Sequence, residues 1–213
     1  MNHKLIDINQ RIPLETLYVA LVSYLNGTYS DDYILEQLKL EFRGENRLKK
    51  SLRIVNKIIL RNPLNKFIEE NKEQIKLAIK KKNDRNMILI ALLNSSFSFS
   101  FDTLRFLGKY LSVQDIVSRE TIKKSLASVY GGNRATDNAI DSVIPMFIEA
   151  SLIKKPTKGV YQRNSDFQIS FTICKQIFIE SFKTNNTLDN IQEYQLRDPY
   201  FQFLCKPPIK YPF

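Results

Sequence analysis

The residues of this chain whose type and spacing indicate a chemistry are lysine and arginine, which bind negatively charged groups. Residues 46–85 hold thirteen of them against four acidic residues, a local charge of +9, whereas the whole chain of 213 residues carries +10. Charge concentrated in this way is typical of a surface that binds a polyanion, most often nucleic acid. The rest of the chain is close to neutral, so this segment predicts where binding occurs.

A helix predicted over residues 46–61 arranges part of this charge on one side. Its predicted buried face, at helical spacing, consists of Leu48, Leu52, Val55 and Ile59. Its nearly opposite face consists of Lys50, Arg53, Lys57 and Arg61, which we call the basic stripe. The stripe covers about 16 Å along an α-helix, enough to follow several phosphates. Arg47 and Lys49 extend the candidate nucleic-acid-binding set toward the start of the helix.

Lysine-rich helices are commonly no more than solvated surfaces, so the pattern of acidic residues matters here. A helix that is merely soluble usually balances its cations with acids four residues away. The basic segment 46–85 does not balance its cations with such acids, and this favours phosphate binding over simple solvation.

Apolar periodicity and helix-breaking residues predict a mainly α fold of two packed units. Residues 1–96 are predicted as a helical bundle that carries the basic face, with the apolar segment 87–93 as a central helix. Residues 97–183 follow as a winged-helix-like unit with a small β-hairpin, and residues 184–213 as an irregular, proline-rich C-terminal tail. The alternating segment from Ser95 to Phe101 is predicted to be extended and to form the hinge between the units.

The second unit shows the order helix, turn, helix and hairpin, which is the order of a winged helix. Pro156 and Gly159 predict the tip of the hairpin, or wing. Candidate phosphate contacts on the wing are Lys154, Lys155 and Lys158. Arg134 is a further candidate on the presumed recognition helix, but Asp137 and Asp141 would repel phosphate there. We therefore do not expect this helix to read bases.

The sequence lacks the patterns that catalysis, cofactor binding or metal binding would need. His3 is the only histidine, and no CxxC pair or glycine-rich phosphate loop occurs. We expect no enzyme activity, no cofactor, no metal and no small-molecule substrate. No apolar run suits a membrane span or a signal peptide. A cytoplasmic protein is therefore expected, in which Cys174 and Cys205 are predicted as two buried free thiols, with a disulfide between them as the alternative.

Several segments occur in an order that resembles a known family. They are Asp31-Asp32 opening the second helix, the basic segment 45–51, the apolar segment 87–93, the phenylalanine-rich junction, the helix 103–111 and the segment 143–153. In this order, over residues 14–163, they resemble the BrxA family, small accessory proteins of BREX phage-defence systems. The chain departs from the family at Ser151, where glycine is expected, and in its proline-rich end.

The resemblance implies a non-enzymatic DNA-binding protein with a NusB-like helical unit followed by a winged helix. Together with the basic stripe, it predicts double-stranded DNA as a partner, bound largely through backbone phosphates and with low sequence specificity. Other defence-system proteins are further expected partners. Two alternatives stay open: an RNA-binding NusB-like protein, and a scaffold subunit whose basic face meets an acidic protein partner.

Overall fold

The computed structural model describes residues 3–204, which form ten α-helices, three short strands and two 3-10 helices. The helices are α1 (Leu14–Leu25), α2 (Asp31–Lys39), α3 (Glu45–Ile59), α4 (Asn65–Glu70), α5 (Lys72–Ala78), α6 (Lys82–Ser96), α7 (Ser98–Leu111), α8 (Arg119–Tyr130), α9 (Arg134–Glu149) and α10 (Thr172–Asn186). The strands are β1 (Ile116–Ser118), β2 (Ile153–Thr157) and β3 (Val160–Arg163), and the 3-10 helices span Glu193–Arg197 and Pro199–Phe203. The prediction of a mainly α fold with a small hairpin is confirmed.

Helix α6 lies at the centre of the helical part of the fold. Every residue from Met87 to Ser96 is buried, so the helix has no solvent-facing side over these turns. Helices α1, α3, α7 and α10 pack around it. A helix that is apolar all round requires cover on every side, and the expectation of a central helix over 87–93 is confirmed.

Helix α3 covers α6 with one face and leaves the other toward solvent. Its buried residues include Ile54, Val55 and Ile58, whereas Leu48 and Leu52 are only half-buried. The inward face is therefore rotated slightly from the predicted one. The helix begins after Gly44, whose φ of 89° lies in the left-handed region that glycine tolerates.

The prediction that Ser95 to Phe101 is extended is wrong. Helix α6 runs to Ser96 and α7 starts at Ser98, so only Phe97 has extended backbone, with φ −135° and ψ 107°. Alternation predicts a strand when one face is apolar and the other is solvated. Here Ser95, Ser96 and Ser100 are buried as well, with only Ser98 exposed, and Ser100 Oγ donates to Asn94 Oδ1 at 2.6 Å. Because three of the four serines are buried, the alternation of residue types does not correspond to one buried and one solvated face, and it does not indicate a strand.

The winged-helix-like unit has the element order α7, β1, α8, α9, β2, β3, with an antiparallel sheet in the order β1-β3-β2. Strand β1 is absent from the sequence-based prediction because three residues are too few to show an alternation. Ser118 caps α8, since its Oγ accepts from Thr121 N at 3.0 Å. Helix α9 continues without a break through Pro145 to Glu149.

The tip of the wing differs from the prediction. The turn is formed by Lys158 and Gly159, and Gly159 has a φ of 74°. Pro156 lies instead inside β2, where the register shifts between Lys154 and Thr157. Strand β2 is at the edge of the sheet, so a residue without an N–H is tolerated there.

The segment predicted as an irregular tail contains ordered elements. Helix α10 extends to Asn186, and the 3-10 helix Pro199–Phe203 packs against α7. Tyr200 is fully buried, its ring stacks on Phe178 with centroids 4.2 Å apart, and its hydroxyl accepts from Asn94 Nδ2 at 3.0 Å. The proline-rich end and Cys205 lie outside the described residues, while Cys174 is buried. The boundaries at 96 and 183 stay a prediction.

None of the helices within residues 3–204 combines the length and the apolar character that a membrane crossing requires.

Gly108 is the point where α7 and the last 3-10 helix come closest, and this predicts an unusual response to alanine. A Cβ at Gly108 would fall well inside van der Waals distance of the Pro199 carbonyl oxygen. Glycine to alanine in a helix normally stabilises by about 0.5–1 kcal/mol. We expect Gly108→Ala to destabilise instead, by about 1–3 kcal/mol as for other overpacked sites, measured by urea unfolding.

Gly132→Ala is the matched control for this substitution. A Cβ there meets only the Ala127 side chain at 3.7 Å, and Gly132 has no positive φ. Its stability should stay within about 0.5 kcal/mol of the unsubstituted protein. A Gly108→Ala protein as stable as the parent would mean that the last 3-10 helix does not pack against α7 in solution.

Candidate nucleic-acid interface

The basic stripe lies on the outer side of α3, as predicted from its spacing. Arg53 and Arg61 are exposed and Lys50 is half-buried, while the opposite face of the helix is in the core. Arg61 follows the last helical residue, so the stripe extends just past the end of α3. Within residues 3–204, none of these three cations forms an ion pair. They are therefore available to an external anion.

Lys57, the fourth member of the stripe, has internal partners. Its ammonium lies 4.2 Å from the centroid of the Phe97 ring, a cation–π contact. It also lies near Asp7, whose carboxylate accepts from the backbone N–H groups of Ser98, at 2.8 Å, and Phe99, at 3.3 Å. Burial raises the pKa of Asp7 although these hydrogen bonds and the Lys57 charge oppose the rise. Lys57 is thus half-buried and anchored over the α6–α7 junction.

The two residues at the start of α3 are also held by neighbours. The Arg47 guanidinium lies 4.6 Å from the centroid of the Phe42 ring. Lys49 Nζ lies 2.5 Å from Glu45 Oε1, four residues earlier, and this hydrogen bond lowers the pKa of Glu45. The expectation that the basic segment has no acids four residues from its cations is therefore wrong at Lys49, and also at Lys66, whose Nζ lies 3.9 Å from Glu70 Oε1. Lys49 and Glu45 are both well exposed, so their pair is weak and can open.

The wing lysines differ from one another in their surroundings. Lys154 Nζ is paired with Asp166 Oδ2 at 2.7 Å. Lys155 and Lys158 are exposed and make no ion pair with any residue in the described range. Gly159 O accepts from Arg119 N at 2.7 Å, which fixes the wing tip beside the start of α8. Only two of the three predicted wing contacts are therefore unpaired.

Helix α9 presents Arg134 in an exposed position as its first residue. The two acids expected to repel phosphate are paired within the molecule. Asp141 Oδ1 lies 2.8 Å from Arg119 Nη2, and Asp137 Oδ1 lies 2.9 Å from Lys123 Nζ and 3.5 Å from Arg119 Nη1. The hydrogen bond from Lys123 is the main cause that lowers the pKa of Asp137. Helix α8 thus offsets the negative charge of α9.

The structure does not bring the stripe and the wing into one cluster. At the C-terminal end of α6, Ser96 Oγ donates to the Lys57 carbonyl at 3.1 Å. At its N-terminal end, Asn86 Nδ2 donates to the Ala150 carbonyl at 3.2 Å, just before β2. An α-helix rises 1.5 Å per residue, so these two anchors lie about 15 Å apart along α6. The Lys57 end of the stripe and the root of the wing are therefore separate surfaces.

Some charged residues that matter to the surface lie outside the predicted binding set. Lys80, Lys81 and Lys82 are exposed where α6 begins, and Lys81 Nζ lies 5.3 Å from the centroid of the Phe171 ring. Their signal was present in the charge run of 46–85. No local sequence pattern predicts that Arg119 pairs with the acidic residues of α9. Between positions 3 and 204, no group of three or more His, Cys, Asp or Glu is placed to hold a metal ion.

Comparison with known proteins adds no relationship to this picture. No family model matches the chain, and no curated protein and no solved structure matches it either. The likeness to the BrxA family and to a NusB-like unit therefore stays a prediction from the sequence.

The pairing of Asp137 predicts how stability depends on pH. Because the folded-state pKa of Asp137 is lowered, its stabilising contribution is present above the unfolded pKa of about 3.9 and is lost as pH falls through the folded pKa. We expect Asp137→Asn to lower the free energy of unfolding near neutral pH. Its deficit relative to the unsubstituted protein should shrink below about pH 4, as measured by urea unfolding across pH.

Asp189→Asn serves as the control, because Asp189 is exposed and has no ion pair in the described part of the chain. Because this substitution removes no ion pair, its unfolding free energy near neutral pH should stay within about 0.5 kcal/mol of that of the unsubstituted protein. A deficit of Asp137→Asn that stays constant through acid would show that the pairing with Lys123 contributes nothing.

Proposed function

We propose that this chain is a non-enzymatic DNA-binding protein that contacts the backbone phosphates of a duplex through the basic stripe of α3. The observation that carries the proposal is that Lys50 and Arg53 lie on the outer side of α3, whose inner side is buried, and that Arg61 is exposed just past the end of this helix. Their cations have no ion-pair partner among the residues that the structure describes. A fixed row of cations without acids suits a regular row of phosphates.

The dimensions of the stripe support a phosphate partner. From Lys50 to Arg61 the chain advances about 16 Å along the helix direction, and each strand of B-DNA carries a phosphate about every 3.4 Å. The packing of α3 on α6 holds the backbone of the stripe in place, so binding does not require the helix to form first. Side-chain ordering is then the main conformational cost.

Low sequence specificity follows from the kinds of contact available. Phosphate contacts position a protein on DNA but carry no base information. Arg134 is the exposed cation at the start of α9, and the acids of that helix are engaged by Arg119 and Lys123. We propose a role as an accessory protein of a BREX-type phage-defence system on the resemblance of the sequence alone.

The experiment that tests this function compares two charge-reversal variants of equal net charge. Lys50→Glu with Arg53→Glu removes two stripe contacts, and Lys109→Glu with Lys175→Glu reverses two exposed lysines elsewhere, on α7 and α10. At about 50 mM salt the stripe variant should lose duplex affinity by about tenfold or more. The slope of log K against log salt should become shallower by about 2, since each contact contributes about 0.9. The control variant should change far less.

Equal losses in the two variants would show that net charge, rather than the stripe, drives binding. Duplex RNA of the same length is measured in parallel, and about tenfold tighter binding to RNA would replace this proposal with the RNA-binding alternative. Failure of the unsubstituted protein to bind either duplex at about 50 mM salt, where phosphate-driven binding is strong, would contradict the proposal outright.

A further inference from the structure

A groove separates the second half of α9 from the wing. It encloses a volume of about 350 Å³. The residues that line it are Arg119, Asp141, Ile144, Pro145, Ile148, Lys155, Lys158, Gly159 and Tyr161. The groove is distinct from the basic stripe, because it lies on the winged-helix-like unit and shares no residue with α3.

The floor of the groove is apolar. Ile144 and Tyr161 are buried, and Pro145 and Ile148 are half-buried. Pro145 has no N–H, so the Asp141 carbonyl lacks the donor that a continuous helix would supply four residues later. The floor therefore offers apolar surface together with a backbone acceptor that the helix itself does not satisfy.

The rim of the groove is cationic. Lys155 and Lys158 are exposed at its edge, without ion pairs to any residue from 3 to 204. Asp141 is the one acid among the lining residues, and Arg119 Nη2 holds its carboxylate at 2.8 Å. Because the charges of Arg119 and Asp141 cancel, the net charge of the rim comes from the two lysines. An apolar floor beneath a cationic rim matches an occupant with the opposite charge and an apolar anchor.

We propose that this groove binds an acidic protein segment, which places an apolar side chain on the floor and its carboxylates against Lys155 and Lys158. A sugar-phosphate backbone could neutralise the lysines but has no apolar group for Ile144, Pro145 and Ile148. A volume of 350 Å³ is at the small end of ligand pockets, about 300–1,000 Å³, which suits one or two side chains. This binding does not depend on the DNA-binding function of the stripe.

Selection from a library of random peptides tests which composition the groove prefers. Random dodecapeptides displayed on phage are selected on the full-length protein and counter-selected on Lys155→Glu with Lys158→Glu. We expect the enriched peptides to be acidic and to share at least one leucine, isoleucine, phenylalanine or methionine. Absence of enrichment, or enriched peptides that lack either the acids or the apolar residue, overturns the proposal.

The enriched peptide is then labelled and titrated by fluorescence anisotropy without DNA present. Ile148→Asp and the lysine double variant should each weaken it by about tenfold or more, whereas Lys109→Glu with Lys175→Glu should leave it unchanged. Replacing the apolar residue of the peptide with serine should cost a similar factor. Far-UV circular dichroism and thermal unfolding check the fold, and Ile148→Ser replaces Ile148→Asp if the latter unfolds.

Two results would assign the groove to nucleic acid instead. In the first, the lysine double variant weakens peptide binding but Ile148→Asp leaves it unchanged, because binding would then be purely electrostatic. In the second, a duplex binds the unsubstituted protein and binds the Ile148→Asp protein more weakly. If no peptide binds the groove while the stripe still binds DNA, this inference is overturned and the proposed DNA-binding function is not. The two proposals can therefore fail independently.

Discussion

The burial of α6 on all sides is the constraint on which the rest of the structure depends. A helix with apolar residues around its whole circumference is stable in water only when other elements cover each side. Helices α1, α3, α7 and α10 provide that cover, and they come from both halves of the chain. Because α3 must turn its apolar face toward α6, its charged face is forced outward. The position of the basic stripe is therefore a consequence of core packing.

Local pattern predicted those parts of the fold in which one side is buried and the other solvated. The buried and exposed faces of α3 are such a case, and the all-apolar stretch of α6 has no polar side, which indicates a helix covered all round. The alternation of Ser95–Phe101 is misleading, because three of its four serines are buried beside the phenylalanines, and sequence period alone cannot show that burial. Strand β1 exists through pairing with β3, which is more than forty residues away and leaves little trace in its own three residues.

The candidate site was predictable in its charge but not in its pairing. Spacing placed Lys50 and Arg53 on a common outer face. It could not show that Lys154 is engaged by Asp166, or that Asp137 and Asp141 are offset by Arg119, since such partners are brought together only by the folded chain. The cation–π contact of Lys57 with Phe97 spans forty positions and is equally invisible locally. The sequence therefore indicates where the cationic residues cluster, and the structure shows which of them are paired with other residues and which are not.

The cover that α10 provides for α6 has a consequence for synthesis of the chain. Proteins emerge from the ribosome from the N-terminus at about 5–20 residues per second. The side of α6 that faces α10 therefore lacks its cover for several seconds, until residues 172–186 leave the exit tunnel. During that interval one side of an apolar core helix stays open to solvent, and exposed apolar surface is what chaperones bind. Efficient production of this protein should accordingly depend on chaperone capacity more than its modest length suggests.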